Sequence, residues 1–467
     1  MRKNQPLAAN FDWILLFMYV AILFIGISTI YSVAYNPNHP NIFDFSQKYG
    51  KQILWIGISL FLGLCVFLID SDIYRKFALP IYSFVIFLLI IVLLMPPING
   101  ARAWLSIGSM GIQPAEFAKI GTAIILAKYL SLVNLNQQNK KIILISNAII
   151  LFPMALIILQ PDAGTFIVFT SFLFVLYREG VSYDPIILSI LKILPFRSLH
   201  YKRTWLGTHF IPILFIVIFL SITTLLVSNE NIVLNFNKKK EISGYWGMFF
   251  FLTVFCLIAY FFLRYLFPKR ERKRALSISI IGFFLALSIS STVNYTFQKL
   301  PDHQKERIEL VLGLREDPDG DDYNRNRAMA AVGSGGFFGR GYKNAIVSSV
   351  KTNHVPESET DFIFCPFAEE WGFIGSFFLV SLYILMILRI IFIAERQKAA
   401  FNRIYAYSVA MILFYHFTIN IGMNIEFSPV IGIPLPFFSY GGSSIMSFSI
   451  MIFILLKLDS QRKDVLN

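Results

Sequence analysis

Cysteine and charge are both scarce in this chain. Three cysteines, Cys65, Cys256 and Cys365, occur in 467 residues, and all three lie in apolar segments. Their number is odd and their spacing matches no metal or redox motif, so neither a disulfide framework nor a zinc site can be read from them. Charged residues make up 15% of the chain against 56% hydrophobic and 16% aromatic, with a mean hydropathy of +0.63. A soluble domain could not hide that much apolar surface, and the class is a polytopic membrane protein. A dinucleotide fingerprint is missing too. Gly333, Gly335, Gly336, Gly339 and Gly341 do not meet the GxGxxG spacing, and no strand precedes them. Asp317, Asp319 and Asp321 alternate, but their order fails the calcium-loop pattern and reads as a turn. The net charge of +13 is not a nucleic-acid signal, because no basic, aromatic-interleaved groove appears. The basic residues fall in short loops between apolar runs, as the positive-inside bias requires.

Those runs predict an all-α membrane protein of about twelve transmembrane helices, most near the twenty residues a bilayer needs and that from Asp361 long enough to project beyond it. They lie at about 13–30, 53–69 and 77–95, from Gln113-Pro114 onward, at 142–159, after Asp162 to about Tyr177, and at 210–227, 246–267, 275–297, 361–393, 405–421 and 437–456. Arg2 and Lys3 precede the first run, which reads as a retained helix rather than a signal peptide. Lys269 to Arg274 is a strong inside anchor, whereas Lys238, Lys239 and Lys240 breach the bias locally. Both termini are expected to be cytoplasmic. The predicted organisation is a membrane core over 1–179 with the first six helices, and an inserted segment over 180–274 with two extra helices. A core helix over 275–297, a large extracytoplasmic loop over 298–360 and a core over 361–467 with the last three helices follow. Within the large loop, Glu306 to Arg315 mixes apolar and charged residues like an interfacial helix.

The polar residues that stand out gather on the outer side. Glu116 and Lys119, three apart on one helix face, form either a neutralised structural pair or part of a polar cavity. Asp162, after Gln160-Pro161, suits a helix N-cap. Thr360 and Asp361 suit one as well, at the lip of a membrane helix and after a glycine-rich loop that carries Arg325, Arg327, Arg340 and Lys343. Transporters more often place polar groups at mid-depth, serving both sides, so a one-sided cluster favours an outward-facing active site.

The motifs then become recognisable: Asn99-Gly-Ala-Arg-Ala-Trp, Gln113-Pro-Ala-Glu-Phe-Ala-Lys, Gln160-Pro-Asp-Ala-Gly-Thr, the glycine-rich Ala331 to Gly341, Thr360-Asp-Phe-Ile-Phe, Ala368-Glu-Glu-Trp-Gly and Ile433 to Ser444. Together they resemble the SEDS family of cell-wall polymerases, with its RodA, FtsW and SpoVE branches, and the RodA branch most. The resemblance implies a glycosyltransferase that polymerises lipid II outside the bacterial cytoplasmic membrane. It also implies a class B penicillin-binding protein and other elongation-complex membrane proteins as partners, and no nucleic acid. The family's essential acid falls on Asp361, its sensitive outer-loop tryptophan on Trp104 and its cavity ion pair on Glu116 and Lys119.

Asp361 would then act as general base on the acceptor hydroxyl. Arg102, Lys119 and Arg340 are candidates to meet the leaving pyrophosphate, with Asp162 beside them at the substrate site. A divalent cation (Mg or Mn) held partly by Asp361 is the alternative source of that positive charge, and the residues do not choose between the two. Glu369 and Glu370, more than two turns past Asp361, read as structural or as support behind the site residues. A lipid II flippase or a non-catalytic scaffold for the penicillin-binding protein would use the same spans. Ala115 and Trp371 depart from the family's usual Ser and Leu, and the two added spans depart from its usual count of about ten.

Overall fold

The computed structural model describes residues 11–36, 38–39, 41–96, 102–107, 110–133, 139–191, 205–228, 231–236, 238–243, 269–299, 305, 321–348, 357–428 and 430–462, with isolated positions between 246 and 265. The expected interfacial helix at 306–315, the aspartates Asp317 and Asp319, and most of the span at 246–267 lie outside the described residues.

The chain is a helical membrane protein, and the helices follow the apolar runs. They are α1 (Trp13–Val33), α2 (Lys48–Leu68), α3 (Ser71–Lys76), α4 (Ala78–Leu93), α5 (Pro114–Leu132), α6 (Lys140–Leu159), α7 (Ala163–Phe169) and α8 (Ser171–Arg178), then the short α9 (Asp184–Leu191) and α10 (Trp205–Thr208). After them come α11 (Phe210–Ser228), α12 (Lys269–Lys299), α13 (Asp321–Ser334), α14 (Phe364–Arg396), α15 (Ala400–Asn424) and α16 (Gly442–Ser460). Six of these, among the described residues, are long and apolar enough to cross a membrane, and 78–93, 163–178 and 210–225 are shorter apolar helices. Their starts are set by ordinary capping chemistry. Asp12 accepts from Leu15 N–H, Asn139 from Ile142 N–H and Asp162 from Thr165 N–H, while Pro114 opens α5.

The first unit, 1–208 with 323–467, holds the core. Here α16 packs on α2, α15 on both α5 and α14, and α4 on α5. The α5, α15 and α16 helices are buried on nearly every face, as helices that are apolar all round must be when surrounded by protein. By contrast α1 leaves Trp13, Phe17 and Phe24 exposed, and α14 leaves Phe377, Phe378, Leu388 and Phe392 exposed, which are faces fit for lipid. At one end of the unit Asp12 accepts from Arg389 and Arg396, at 2.8 Å each, and Asp459 accepts from Arg396, Arg462 and Gln397. In the second unit, 209–322, α11 packs against α12.

Four features differ from the sequence expectation. Two antiparallel hairpins join the helices: β1 (Leu105–Ile107) with β2 (Met110–Ile112), and β3 (Asn231–Phe236) with β4 (Lys238–Ser243). Their runs are too short or too polar for the helical period to register. The predicted loop from Tyr323 begins as the helix α13, since Arg327-Ala-Met-Ala-Ala is a run of strong helix formers. The span after Gln160-Pro161-Asp162 is divided at Thr170, whose hydroxyl donates to Ile167 O at 2.6 Å. Lastly, α14 starts at Phe364 rather than Asp361 and is broken at Gly372 (φ 63°, ψ −162°).

That break is met by the glycine-rich loop. Arg340 and Gly341 N–H donate to Glu369 and Glu370 C=O at 3.0 Å, and Phe373 N–H donates to Gly336 C=O at 2.9 Å. The backbone groups that the helix gives up are thus paired across the loop, as buried peptide groups require. A Cβ at Gly339 or Gly372 would collide with the opposing backbone, and both residues have positive φ.

Candidate active site

Asp361 stands at the end of α14 opposite the Asp12–Asp459 network that Arg396 joins. Asp361 lies in the turn before α14. Its helix is capped by Ile363 with no side-chain bond, so the N-cap role expected for Thr360 and Asp361 is not the one they play. Asp361 is instead held by its backbone, whose C=O accepts from Asn420 Nδ2 at 2.9 Å and from Asn424 Nδ2 at 3.3 Å. Its side chain is half-buried, and Gly432 lies against Oδ2. Burial pushes the carboxyl up to about 7, and the facing Glu357 carboxyl pushes the same way. Among the described residues no cation pairs with it.

The turn itself is well anchored. Phe362 and Cys365 pack with Ala328 and Ala331 of α13, alongside Val347 and Val430. Glu359 pairs with Lys48, and its C=O accepts from Tyr440 N–H at 2.9 Å. Glu369, fully buried, accepts from the N–H groups of Ile346, Val347 and Ser348 and from Ser348 Oγ, at 2.6 to 3.0 Å. Glu370 accepts from Lys343 N–H at 3.0 Å and from the Ser32 hydroxyl. The two glutamates therefore fasten the loop that closes over α14, which is the structural role expected of them.

The other expected residues divide into three groups. Glu116 and Lys119 form a fully enclosed pair at 2.8 Å, joined by Ser447 Oγ and by His416 Nε2. Asp162 caps α7 and also accepts from Gln113 Nε2 at 2.8 Å, tying the start of α7 to the start of α5. Trp104 is 38% exposed and lies over Gly111 of β2, beside the Gln113–Ser443 contact. Arg102 is exposed and donates to Leu93 O at 3.3 Å. Two cations of the glycine-rich loop, Arg340 and Lys343, have partners other than Asp361. Arg340 donates to Ser334 O and stands 3.8 Å from Glu369, while Lys343 stands over the Tyr31 and Tyr35 rings. The Arg325 side chain is outside the described ones.

Sequence reasoning missed Glu357, His416, Asn420 and Asn424. The last three had a signal: they recur every four residues along α15, a polar stripe on an otherwise apolar helix. No group of three or more His, Cys, Asp or Glu side chains able to hold a metal occurs among the described residues. Asp361 and Glu357 supply two carboxylates, which is what a Mg-type ion takes from a protein when substrate phosphates complete its shell.

A family model of cell cycle proteins, named for FtsW, RodA and SpoVE, matches residues 12–215 and 275–464. The peptidoglycan glycosyltransferase RodA of Treponema pallidum is 29% identical over 459 residues, covering 97% of this chain and 98% of the relative. The peptidoglycan glycosyltransferase MrdB of Escherichia coli K12 is 27% identical over 88% of this chain and 86% of its own. A solved chain from a peptidoglycan synthase complex, described as coordinating polymerization and crosslinking, superposes with a TM-score of 0.64 at 23% identity. It covers 97% of this chain and 99% of its own. The rod shape determining protein RodA of Thermus thermophilus superposes with a TM-score of 0.56 at 20% identity, over 98% and 99% of the two chains. The last two likenesses are likenesses of fold.

Proposed function

The chain belongs to the FtsW, RodA and SpoVE family of cell cycle proteins, and from that membership we propose that it is a peptidoglycan glycosyltransferase. In this reading it polymerises lipid II into glycan strands on the outer face of the cytoplasmic membrane, for elongation and shape, with both termini cytoplasmic. Glycan growth needs the acceptor hydroxyl to lose its proton as it attacks the anomeric carbon of a lipid-pyrophosphate donor. Asp361 is the general base. The observation that carries this is its carboxyl, brought to about 7 by burial and Glu357 and bound to no cation among the described residues. A carboxylate locked in an ion pair would be a far weaker base.

The donor's pyrophosphate gathers charge as it leaves. Arg102, exposed and held by one backbone contact, is the cation we assign to it, with Trp104 as an apolar wall for the substrate. Arg340 is partly neutralised by Glu369. Glu116 and Lys119 are enclosed as a pair and Asp162 caps α7, so they support the site from within the helices. A divalent cation held by Asp361 and Glu357 would, when bound, neutralise pyrophosphate oxygens. The partner in this reading is a class B penicillin-binding protein, which cross-links the strands.

The test is polymerisation of labelled lipid II by the purified protein with its transpeptidase, for the natural chain and for Asp361→Asn. Polymer from the first and none from the folded, partner-bound variant is the expected result. Equal polymer from both would remove Asp361 from the chemistry. Passage of lipid II across vesicle membranes without polymer would replace the enzyme with a flippase.

A further inference from the structure

The polymerase reading leaves unexplained a chain of buried polar contacts that runs from α5 through α15 to the segment beside Asp361. Lys119 Nζ donates to Glu116 Oε2 at 2.8 Å and stands 2.8 Å from His416 Nε2. The other ring nitrogen, Nδ1, is 3.2 Å from Pro434 O. A carbonyl oxygen can only accept, so Nδ1 carries the hydrogen and Nε2 accepts from the ammonium. One turn further along α15, Asn420 Nδ2 donates to Ile433 O at 2.7 Å and to Asp361 O at 2.9 Å, bridging the two segments with one amide. Just before the anchored carbonyls Gly432 adopts φ +71°, and a Cβ there would lie 3.2 Å from Asp361 Oδ2. Tyr383 OH donates to Pro436 O at 2.6 Å and pins the far end.

We infer that His416 and Asn420 are positioning residues for Asp361, holding the Gly432–Pro434 strap against its carboxyl and so fixing where the base stands and how little water reaches it. Neither side chain is placed against substrate. Both are enclosed, and both act through backbone carbonyls. Among the described residues the charged group acting on Asp361 is Glu357, from its own turn. His416 is faced by Lys119, with Glu116 behind it and Phe448 edge-on to the imidazole. A loosened strap would let the carboxyl drift from its place, without touching the pyrophosphate or the lipid.

The inference rests on the polymerase reading, but its test need not. Full-length protein in detergent is placed in deuterated buffer, and amide exchange of the peptides covering 430–436 is followed by mass spectrometry. His416→Gln keeps a donor for Pro434 O and an acceptor for Lys119, so its strap should exchange as slowly as the natural chain's. His416→Leu and Asn420→Ala should each speed exchange in the strap about tenfold. In polymerisation assays those two should lose about tenfold in kcat with KM within about twofold, the pattern of a displaced base rather than lost binding, and His416→Gln should restore kcat. Should His416→Leu fail to fold, Asn420→Ala, which leaves the Lys119–Glu116 pair in place, must show the same two effects. Unchanged strap exchange and kcat in every folded variant, with only a lower melting temperature, would overturn the inference. Absence of polymer from the natural chain would instead count against the polymerase reading, and the exchange result would still decide the role of the strap.

Discussion

At Asp361 the burial that lifts the carboxyl to about 7 also makes its ionised form costly to the fold. Its folded value lies above the usual carboxylate range, so the fold favours the protonated form. Stability should therefore fall as pH rises from about 4 to about 7, by at most about 1.4 kcal/mol per unit, and level off above. Activity should run the other way, with kcat/KM rising through about pH 7 as the base ionises. Asp361→Asn then has a double signature: no polymer, and a melting temperature above the natural chain's at pH 8, with the gap closing toward pH 4. A gap that does not change with pH would show that the carboxyl is not buried in solution. Glu369 makes the opposite case. Truncation to Ala strips four donors of their acceptor and should cost about 3 kcal/mol or more, read as a lower melting temperature. Sequence reasoning reached Asp361 by its family motif. Its bare residue pattern pointed to a helix cap, and the helix starting three residues later removes that role. His416, Asn420 and Asn424 were legible as a stripe, but a stripe names no partner until the strap is seen to lie against it.

Among the elements, α14 and the glycine-rich loop stand or fall together. Gly372 and Gly339 face each other with positive φ, so Gly372→Ala is strained in its own backbone and also displaces the loop. A cost of about 1–3 kcal/mol is expected. Limited proteolysis should show it as new cleavage within 336–348 before the membrane helices give way. The apolar run showed a helix too long for a bilayer, but the break was not legible. A single glycine inside a helical pattern is ordinarily tolerated, and the groups that make this one a break lie thirty residues earlier. The helix α13 was hidden for a related reason: its polar start and its glycine-rich end read as loop, while the Ala328 and Ala331 face that packs on Phe362 is too short to register as periodic.

For the molecule as a whole, the apolar runs gave the architecture because lipid demands continuous helices. They gave neither hairpin, since short strands carry little periodic signal. The family model leaves 216–274 unmatched. If the segment 180–274, with its spans at 210–227 and 246–267, is an insertion of paired spans, excising both spans preserves the parity of crossings. The shortened chain should still polymerise lipid II, and loss of activity in a folded deletion would show that the segment belongs to the working enzyme. The broken α14 bears on biogenesis as well. A translocating machine reads hydropathy in one continuous segment, and carboxylates near its middle resist partitioning into lipid by about 2.5–3.5 kcal/mol each. Because Glu369 and Glu370 precede the interruption at Gly372, the 24 residues of 373–396 form a segment free of acids except near the far end. At 1.5 Å per residue it is about 36 Å long and can span a bilayer unaided. The stretch that carries the acids can then settle above the hydrocarbon and dock on a loop already synthesised.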